Sequence, residues 1–182
     1  MSSQTELKVI ASLLHQGKII AYPTESCFGL GCDPDNQAAV AAIARLKGRS
    51  LEQGFILIGD SISQIQPYCE TLSKEEYDTI QGSWPGPTTW LIPSNTHSWL
   101  TGKHPTLAVR VPGHDLAREI CSVFGKPIIS TSANPHGQPS AKSAREVDTY
   151  FQNQVDLIID GHIGHQENPS AIIDLKSGQK IR

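Results

Sequence analysis

Apolar residues recur at helical spacing in several separate stretches of the chain. From Thr5 to His15 they return every three or four positions, and Gly17 then ends the predicted helix. The same pattern predicts a second helix at 37–48, with Asn36 as its N-terminal cap. Further helices are predicted near 61–67, at 73–81, at 115–125 and at about 143–151.

Short apolar runs lie between these helices and predict β-strands. They occupy 18–22, 55–58, 106–112, 126–130, 155–160 and 170–175, and a further strand follows the turn in "WPGPTTWLIP". Polar loops rich in glycine, proline and small side chains fill 23–35 and 131–141. Because strands alternate with helices and some strands adjoin, this order predicts an α/β fold with an open, mixed sheet. No repeat or linker divides the chain, so we expect a single domain over 1–182.

Composition narrows the possible classes of protein. Hydrophobic residues make up 38% of the 182 positions and charged residues 18%, which suits a chain that buries a core. The net charge of −3 argues against a uniformly basic nucleic-acid surface but leaves room for a local basic groove. Neither a run of about 18 apolar residues nor a signal peptide is present, so we expect no membrane span. The four cysteines lack Cys-x-x-Cys or zinc-finger spacing, which predicts reduced thiols and a cytoplasmic protein.

The two long polar loops each follow a predicted buried strand. Thr24 and Ser26 follow the first, and Ser130, Ser132 and Asn134 lie at the end of another. Each of these residues alone is an ordinary turn or cap residue. In open α/β sheets, however, ligands bind beyond the carboxyl ends of strands. We therefore expect the two loops to meet at one binding site.

Three cations are candidates for holding an anion at that site. Lys47 and Arg49 flank a glycine at the end of the second predicted helix, where they are either ordinary helix-end cations or anion ligands. Arg110 interrupts the apolar strand "TLAVRVP", where it either faces solvent or forms a two-pronged clamp for a carboxylate or phosphate.

Standard catalytic signatures are missing from the sequence. It contains no G-x-x-x-x-G-K-[ST] phosphate loop, no G-x-G-x-x-G fingerprint and no G-x-S-x-G nucleophile elbow. His162 and His165 are three positions apart around a glycine, which favours an exposed turn over a metal site. These absences indicate either a ligand-binding module or an enzyme that works by positioning and charge neutralisation.

Five segments occur in an order that resembles a known family. They are "YPTESCFGLGCDPD", "LKGRSLEQGFILI", "WPGPTTWLIP", "LAVRVP" and "KPIISTSANPHGQPS". Together they resemble the YrdC-like, TsaC-type threonylcarbamoyl-AMP synthases from about Ile10 to Arg182. The resemblance implies an α/β fold with a twisted open mixed sheet and flanking helices around a deep basic cavity. It also implies a nucleotidyltransferase that makes threonylcarbamoyl-AMP and pyrophosphate from L-threonine, bicarbonate or CO2, and ATP. The product would serve threonylcarbamoylation of adenosine 37 in tRNAs that read codons beginning with A, completed by downstream tRNA-modification proteins.

The resemblance also implies roles for individual residues. Lys47 and Arg49 match the phosphate-binding cations and are the catalytic candidates. The ATP-binding candidates are Lys47, Arg49, Gln53, Thr106, Ser132, Asn134, Ser140 and Arg182. The threonine-binding candidates are Ser26, Arg110 and Ser130. No residue is implied as a metal ligand, and Mg2+ is expected to arrive with the phosphates of ATP.

The sequence departs from the family pattern in the segment after Arg49. Ser50 and Gly54 replace two prolines, and Gln53 stands where many members have lysine or asparagine. Gln53 can still donate a hydrogen bond to a phosphate but adds no charge. Ile58 stands where some longer relatives have a histidine near threonine. Since the chain stops after "KIR", we expect the minimal form without an extra domain.

Two alternatives to the synthase remain at this point. One is a non-catalytic RNA-binding or ribosome-maturation factor that uses the same basic cavity, which the negative net charge and few aromatic residues disfavour. Direct contact with tRNA is compatible with either hypothesis. The other is a carbamoyl-transfer module like that of hydrogenase-maturation proteins, which the short chain disfavours.

Overall fold

The computed structural model describes residues 4–182, which form one sheet with helices on both of its faces. The helices are Gln4–His15 (α1), Gln37–Lys47 (α2), Ile62–Ile65 (α3), Lys74–Gln81 (α4), Ser98–Thr101 (α5), Asp115–Phe124 (α6) and Ala144–Phe151 (α7). The strands are Ile20–Pro23 (β1), Phe28–Gly31 (β2), Ile56–Ile58 (β3), Thr88–Pro93 (β4), Thr106–Arg110 (β5), Ile128–Ser132 (β6), Leu157–Ile158 (β7) and Ala171–Asp174 (β8).

The sheet is open and mixed, which confirms the predicted α/β class. Its order is β7-β1-β2-β6-β3-β5-β4-β8. Strands β2, β3 and β5 run one way and the other five run the opposite way. Within residues 4–182, no helix is both long enough and apolar enough to cross a bilayer.

Strand β6 joins the two halves of the sheet. Its first three residues pair with β3, whereas Thr131 and Ser132 pair with β2 on the other side. Because side chains alternate along a strand, Ser130 and Ser132 point to the same face of the sheet. This register places the hydroxyls of the predicted polar loop at the middle of the sheet.

The two faces of the sheet are covered differently. The larger apolar cluster takes Leu57, Val109 and Ile129 from the strands and packs them against residues of α2, α5 and α7. On the opposite face, α1 and α6 pack over Tyr22 and Ile128 and form a second cluster. The part of this second face that α1 and α6 leave uncovered forms the floor of the site described below.

Most predicted elements are present, but the loop predicted at 23–35 is partly wrong. Residues Phe28–Gly31 within it form β2, whose Phe28 and Leu30 are fully buried. Glycine is required at Gly31 because a Cβ there would lie 2.9 Å from both a backbone oxygen of Ile129 and the ring of Tyr22. Two glycines in four residues therefore reflect close strand packing and not a turn.

Smaller differences concern the short elements. Helix α5 was not predicted, and the strand predicted at 155–160 is reduced to the two residues of β7. The cap predicted at Asn36 is confirmed, because its side chain accepts a hydrogen bond from the Ala39 amide.

Candidate functional site

A cavity of about 470 Å3 lies over the uncovered face of the sheet. Gly29, Ile56, Ala108 and Ser130 line its floor from four neighbouring strands, and Ile56 pairs in register with both Ala108 and Ser130. The small residues Gly29, Ala108 and Ser130 leave the space open. The volume is within the range of ordinary small-molecule sites.

The position of this cavity corrects one expectation. A site beyond the carboxyl ends of the strands was expected, but the cavity lies across the face of the sheet. The polar loops still contribute, since Thr24 and Ser26 follow β1 and Ser132 ends β6. The mixed strand directions explain the difference, because adjacent strands that run in opposite directions do not bring their carboxyl ends to one edge.

The lining of the cavity is basic. Arg49, Arg110 and Arg182 all line it, together with His104, whereas none of its described lining residues is Asp or Glu. A confined space with cations and no carboxylate attracts anionic ligands. The lining thus selects for phosphate or carboxylate groups.

The cationic groups lie at two separate ends of the cavity. Thr106 and Arg110 share one face of β5 at opposite ends of the strand, about 13 Å apart at 3.3 Å per residue. Since β3 is parallel to β5 with Ile56 opposite Ala108, Gly54 lies level with Thr106. Arg49 donates to the Gly54 carbonyl and therefore belongs to the Thr106 end. A ligand with two anionic groups well apart fits this arrangement.

Arg49 reaches the cavity because α2 ends sharply. Gly48 adopts a left-handed conformation with φ 59°, and its amide donates to the Ala44 and Arg45 carbonyls, which terminates the helix. The Arg49 guanidinium donates through Nη2 to the Gly54 carbonyl at 2.7 Å and lies 5.2 Å from the centre of the Phe55 ring. Its Nε is buried without a hydrogen-bond partner among the described residues. Arg49 is thus fixed in place with donors to spare.

Lys47 lies behind the cavity wall. Its side chain is only 6% exposed, and it is not among the lining residues. Its Nζ donates to the Ser132 carbonyl at 2.5 Å, to the Asn134 carbonyl at 2.9 Å and to Asn134 Oδ1 at 3.0 Å. With these three contacts, all three ammonium hydrogens have acceptors within the protein. Burial, and then the nearby charge of Arg49, lower the pKa of Lys47 to about 8.

The Ser-x-Asn segment is held by these contacts and by its own side chains. Ser132 Oγ donates to Asn134 Oδ1 at 2.6 Å, and Asn134 Nδ2 donates to the Gln138 carbonyl at 2.7 Å. Asn134, like Lys47, does not line the cavity, whereas Ser132 does. Lys47 and Asn134 thus form a rigid support that presents Ser132 to the cavity.

Arg110 lies at the other end of the cavity, on the inward face of β5. Its side chain is 13% exposed, so the exposed-strand alternative is wrong. Nε donates to the Gly86 carbonyl at 2.8 Å, and Nη2 forms an ion pair with Glu25. Burial lowers the pKa of Arg110, while the Glu25 carboxylate opposes that shift.

The other residues implied by the resemblance line the cavity. Gln53, Thr106, Ser140 and Arg182 line the cavity, as do the threonine-binding candidates Ser26 and Ser130. Arg182 is positioned by two hydrogen bonds to the Ser170 carbonyl, through Nε at 3.2 Å and Nη2 at 3.1 Å.

Sequence reasoning missed several lining residues. Ser170, Thr101 and His104 also line the cavity, and Ser170 Oγ is hydrogen-bonded to Thr89 Oγ1 at 2.8 Å. Thr101 and His104 come from short segments without a recognisable pattern. Ser170 is the first residue of the predicted strand 170–175, and only this position at a strand end resembles the positions that were singled out.

A second cavity of about 760 Å3 lies between α1, the start of α6 and β7. It is larger, but its chemistry is opposite, because four acidic residues and no lysine or arginine line it in the described part of the chain. The acidic residues are Glu6, Asp115, Glu119 and Asp160. Such a lining disfavours phosphate and carboxylate ligands, so the basic cavity is the candidate site.

Comparison with known proteins gives consistent similarities over the whole chain. The Sua5_yciO_yrdC family model, described as "Telomere recombination", matches residues 12–182. A Pseudomonas fluorescens protein named threonylcarbamoyl-AMP synthase is 44% identical over 100% of this chain and 99% of its own length. A Pseudoalteromonas atlantica protein of the same name is 48% identical over 91% of this chain and 90% of its own.

A solved structure is similar over nearly the full length of this chain. It is that of P. abyssi Sua5 complexed with L-threonine, with a TM-score of 0.92 and 30% identity. The similarity covers 99% of this chain and 54% of that protein, so this chain spans about half of its length.

Proposed function

Because the chain belongs to the Sua5/YciO/YrdC family, we propose that it is a threonylcarbamoyl-AMP synthase. The reaction is a nucleotidyl transfer that uses L-threonine, bicarbonate or CO2, and ATP and releases pyrophosphate. The observation that carries the proposal is the basic cavity, which has cationic groups at two ends and no Asp or Glu among its described lining residues. One end suits the carboxylate of an amino acid and the other suits the phosphates of a nucleotide.

Threonine is assigned to the Arg110 end. A guanidinium offers a carboxylate two parallel donors, and Arg110 keeps both Nη1 hydrogens outside its contacts with Gly86 and Glu25. Ser26 and Ser130 supply hydroxyls in the same cavity for the threonine amine or hydroxyl. In this proposal the threonine nitrogen lies toward the centre of the cavity.

ATP is assigned to the Arg49 end. Arg49 contacts the phosphates, and the lining residues Gln53, Thr106, Ser132 and Ser140 supply further hydrogen bonds to the nucleotide. Arg182, whose backbone pairs with Ile172 of β8, contacts the nucleotide from the side of the cavity formed by β8. Mg2+ would be carried in by the triphosphate and held mainly by it, because none of the described residues that line the cavity is Asp or Glu.

The chemistry follows from these two positions. The neutral threonine amine adds to CO2 and releases a proton to solvent to form a carbamate, and a carbamate oxygen attacks the α-phosphorus of ATP. The bond to the β-phosphate oxygen breaks, and pyrophosphate leaves with the electron pair. Negative charge grows on phosphate oxygens during this step, and a fixed guanidinium in a partly dried cavity stabilises it.

Lys47 contributes to the nucleotidyl transfer although it does not line the cavity. Its ammonium holds the Ser132 and Asn134 carbonyls and so fixes Ser132 against the nucleotide. Its positive charge adds to that of Arg49 near the phosphates, as the effect of Arg49 on the pKa of Lys47 indicates. We therefore retain Lys47 and Asn134 as site residues that act by holding the segment.

The product, threonylcarbamoyl-AMP, is a mixed anhydride that an acceptor must consume. We propose that it serves adenosine 37 of tRNA through downstream tRNA-modification proteins in the cytoplasm. The 1–182 segment acts as a single YrdC-like domain in this proposal, with threonine, bicarbonate and ATP as its small-molecule partners.

The deciding experiment is pyrophosphate release by the purified protein. Release that requires both L-threonine and bicarbonate in addition to ATP is the expected result. ATP-dependent release that is indifferent to threonine, or no release at all, would refute the proposal. Tight RNA binding that weakens steeply with salt, in the absence of turnover, would instead favour the RNA-binding alternative.

A further inference from the structure

We infer that Glu25 is a positioning residue for amino-acid recognition, which acts by fixing the Arg110 guanidinium from behind the cavity wall. Glu25 does not line the cavity, whereas Arg110 does. The inference rests on the proposed function, since it assigns Arg110 to the carboxylate of threonine. It adds a residue that the family resemblance did not single out.

The contacts of Glu25 are those of a fixed counter-ion. Oε1 accepts from Arg110 Nη2 and from the Gly113 amide at 2.5 Å. The two side chains are 12% and 13% exposed, so water screens this pair weakly. Glu25 Oε2 is buried and has no hydrogen-bond partner among the described residues. A buried charge with so few partners remains stable only while the arginine stays opposite it.

The backbone around Glu25 leaves little room for it to move. The Gln166 amide donates to the Glu25 carbonyl at 3.1 Å, and the Gly164 amide donates to the Thr24 carbonyl at 2.9 Å. A Cβ at Gly164 would lie 2.9 Å from the Glu25 Cα, so the 164–166 segment packs directly against it. Glu25 is thus held on a loop that is itself fastened to a neighbouring segment.

These contacts determine which donors of Arg110 face a ligand. Gly86 occupies Nε and Glu25 occupies one hydrogen of Nη2, which leaves the Nη1 hydrogens and the second Nη2 hydrogen. An arginine held at two points loses less conformational freedom when it binds a carboxylate than a free side chain does. Removing Glu25 should therefore weaken threonine binding and leave the ATP end of the cavity intact.

The test compares Glu25→Gln and Glu25→Ala with the wild-type protein. We expect the KM for threonine to rise at least about tenfold in Glu25→Ala and less in Glu25→Gln, whose amide oxygen can still accept a hydrogen bond. The KM for ATP and kcat at saturating threonine should stay within about threefold. Glu167→Gln, which removes an exposed carboxylate close to the same segment, is the matched control and should behave as wild type.

A double-mutant cycle with Arg110→Ala separates positioning from general support of the fold. If Glu25 acts through Arg110, adding Glu25→Ala to Arg110→Ala should change threonine affinity by less than about twofold. Threonine affinity that is unchanged in both Glu25→Gln and Glu25→Ala would overturn the inference. Equal losses of threonine and ATP binding would also overturn it, because they would show that Glu25 supports the whole fold.

Calorimetric binding of threonine gives the same comparison without turnover. If the wild-type protein binds threonine but releases no pyrophosphate, the proposed function fails while the Glu25 variants still show whether Arg110 is being positioned. If the wild-type protein is active and the variants bind threonine normally, only the inference about Glu25 fails.

Discussion

Replacing Arg49 with alanine tests the cation that lies closest to the proposed phosphate position. Its guanidinium uses Nη2 for the Gly54 carbonyl at 2.7 Å and the Gln53 carbonyl at 3.3 Å, so Nη1 remains for a ligand. One hydrogen bond between charged groups contributes about 1.5–3 kcal/mol, and tenfold in rate corresponds to about 1.4 kcal/mol. Even one such bond, made in the transition state alone, predicts a turnover about 10- to 150-fold lower in Arg49→Ala.

The assay is threonine- and bicarbonate-dependent pyrophosphate release at saturating ATP, since saturation separates loss of ATP binding from loss of transition-state stabilisation. Arg49→Lys keeps the charge but loses the planar fork, so its turnover should lie between those of the wild type and Arg49→Ala. Arg145→Ala, which removes an exposed arginine from α7, should leave turnover unchanged. Wild-type turnover in Arg49→Ala at saturating ATP would refute the role of Arg49 in the chemical step.

Two further substitutions and one pH profile test the remaining parts of the site. Arg110→Ala should raise the dissociation constant for threonine at least about tenfold in calorimetry and leave ATP binding unchanged. Arg45→Ala, which removes an exposed arginine, is the control. Unchanged threonine affinity in Arg110→Ala would contradict the role of Arg110. Gln53→Lys adds a cation to the cavity wall and should lower the KM for ATP about three- to tenfold, an effect that salt weakens; an equal change in the exposed Gln81→Lys would show a non-specific charge effect. The lowered pKa of Lys47 predicts that kcat falls as the pH rises through about 8, and a profile that is flat across this range would exclude a required ammonium. Between about 8 and 10.5 the unfolded chain binds more protons at Lys47 than the folded one, so the contribution of Lys47 to stability rises with pH and its own titration does not favour unfolding in this range.

The sequence was sufficient to predict the elements whose pattern is local. Helices α1, α2 and α6 have apolar faces at helical spacing, and the caps at Asn36 and Gly48 fix both ends of α2. The strands β3, β5 and β6 are short apolar runs that the core requires to be buried. For these segments, local preference and tertiary packing point to the same structure.

Elements that depend on distant contacts were predicted less well. Strand β2 contains two glycines, which are typical of a loop. Gly31 is needed there because the Ile129 backbone and the Tyr22 ring approach it closely. No local pattern reveals that requirement, since the two partners lie 98 and 9 positions away along the chain. The same limit applies to Glu25, whose partner Arg110 is 85 positions away.

Charge provides the clearest case in which a global property hides a local one. A net charge of −3 describes a protein that is mildly acidic overall, yet the basic cavity has three arginines and no lining carboxylate among the described residues. The acidic side chains are concentrated elsewhere, and four of them line the second cavity near α1 and α6. Glu25 forms an ion pair with Arg110 but does not line the cavity. An anionic substrate thus meets cations inside the cavity, while the acidic exterior disfavours the extended binding of nucleic acid. This separation favours an enzyme of small anionic substrates over an RNA-binding protein with the same fold.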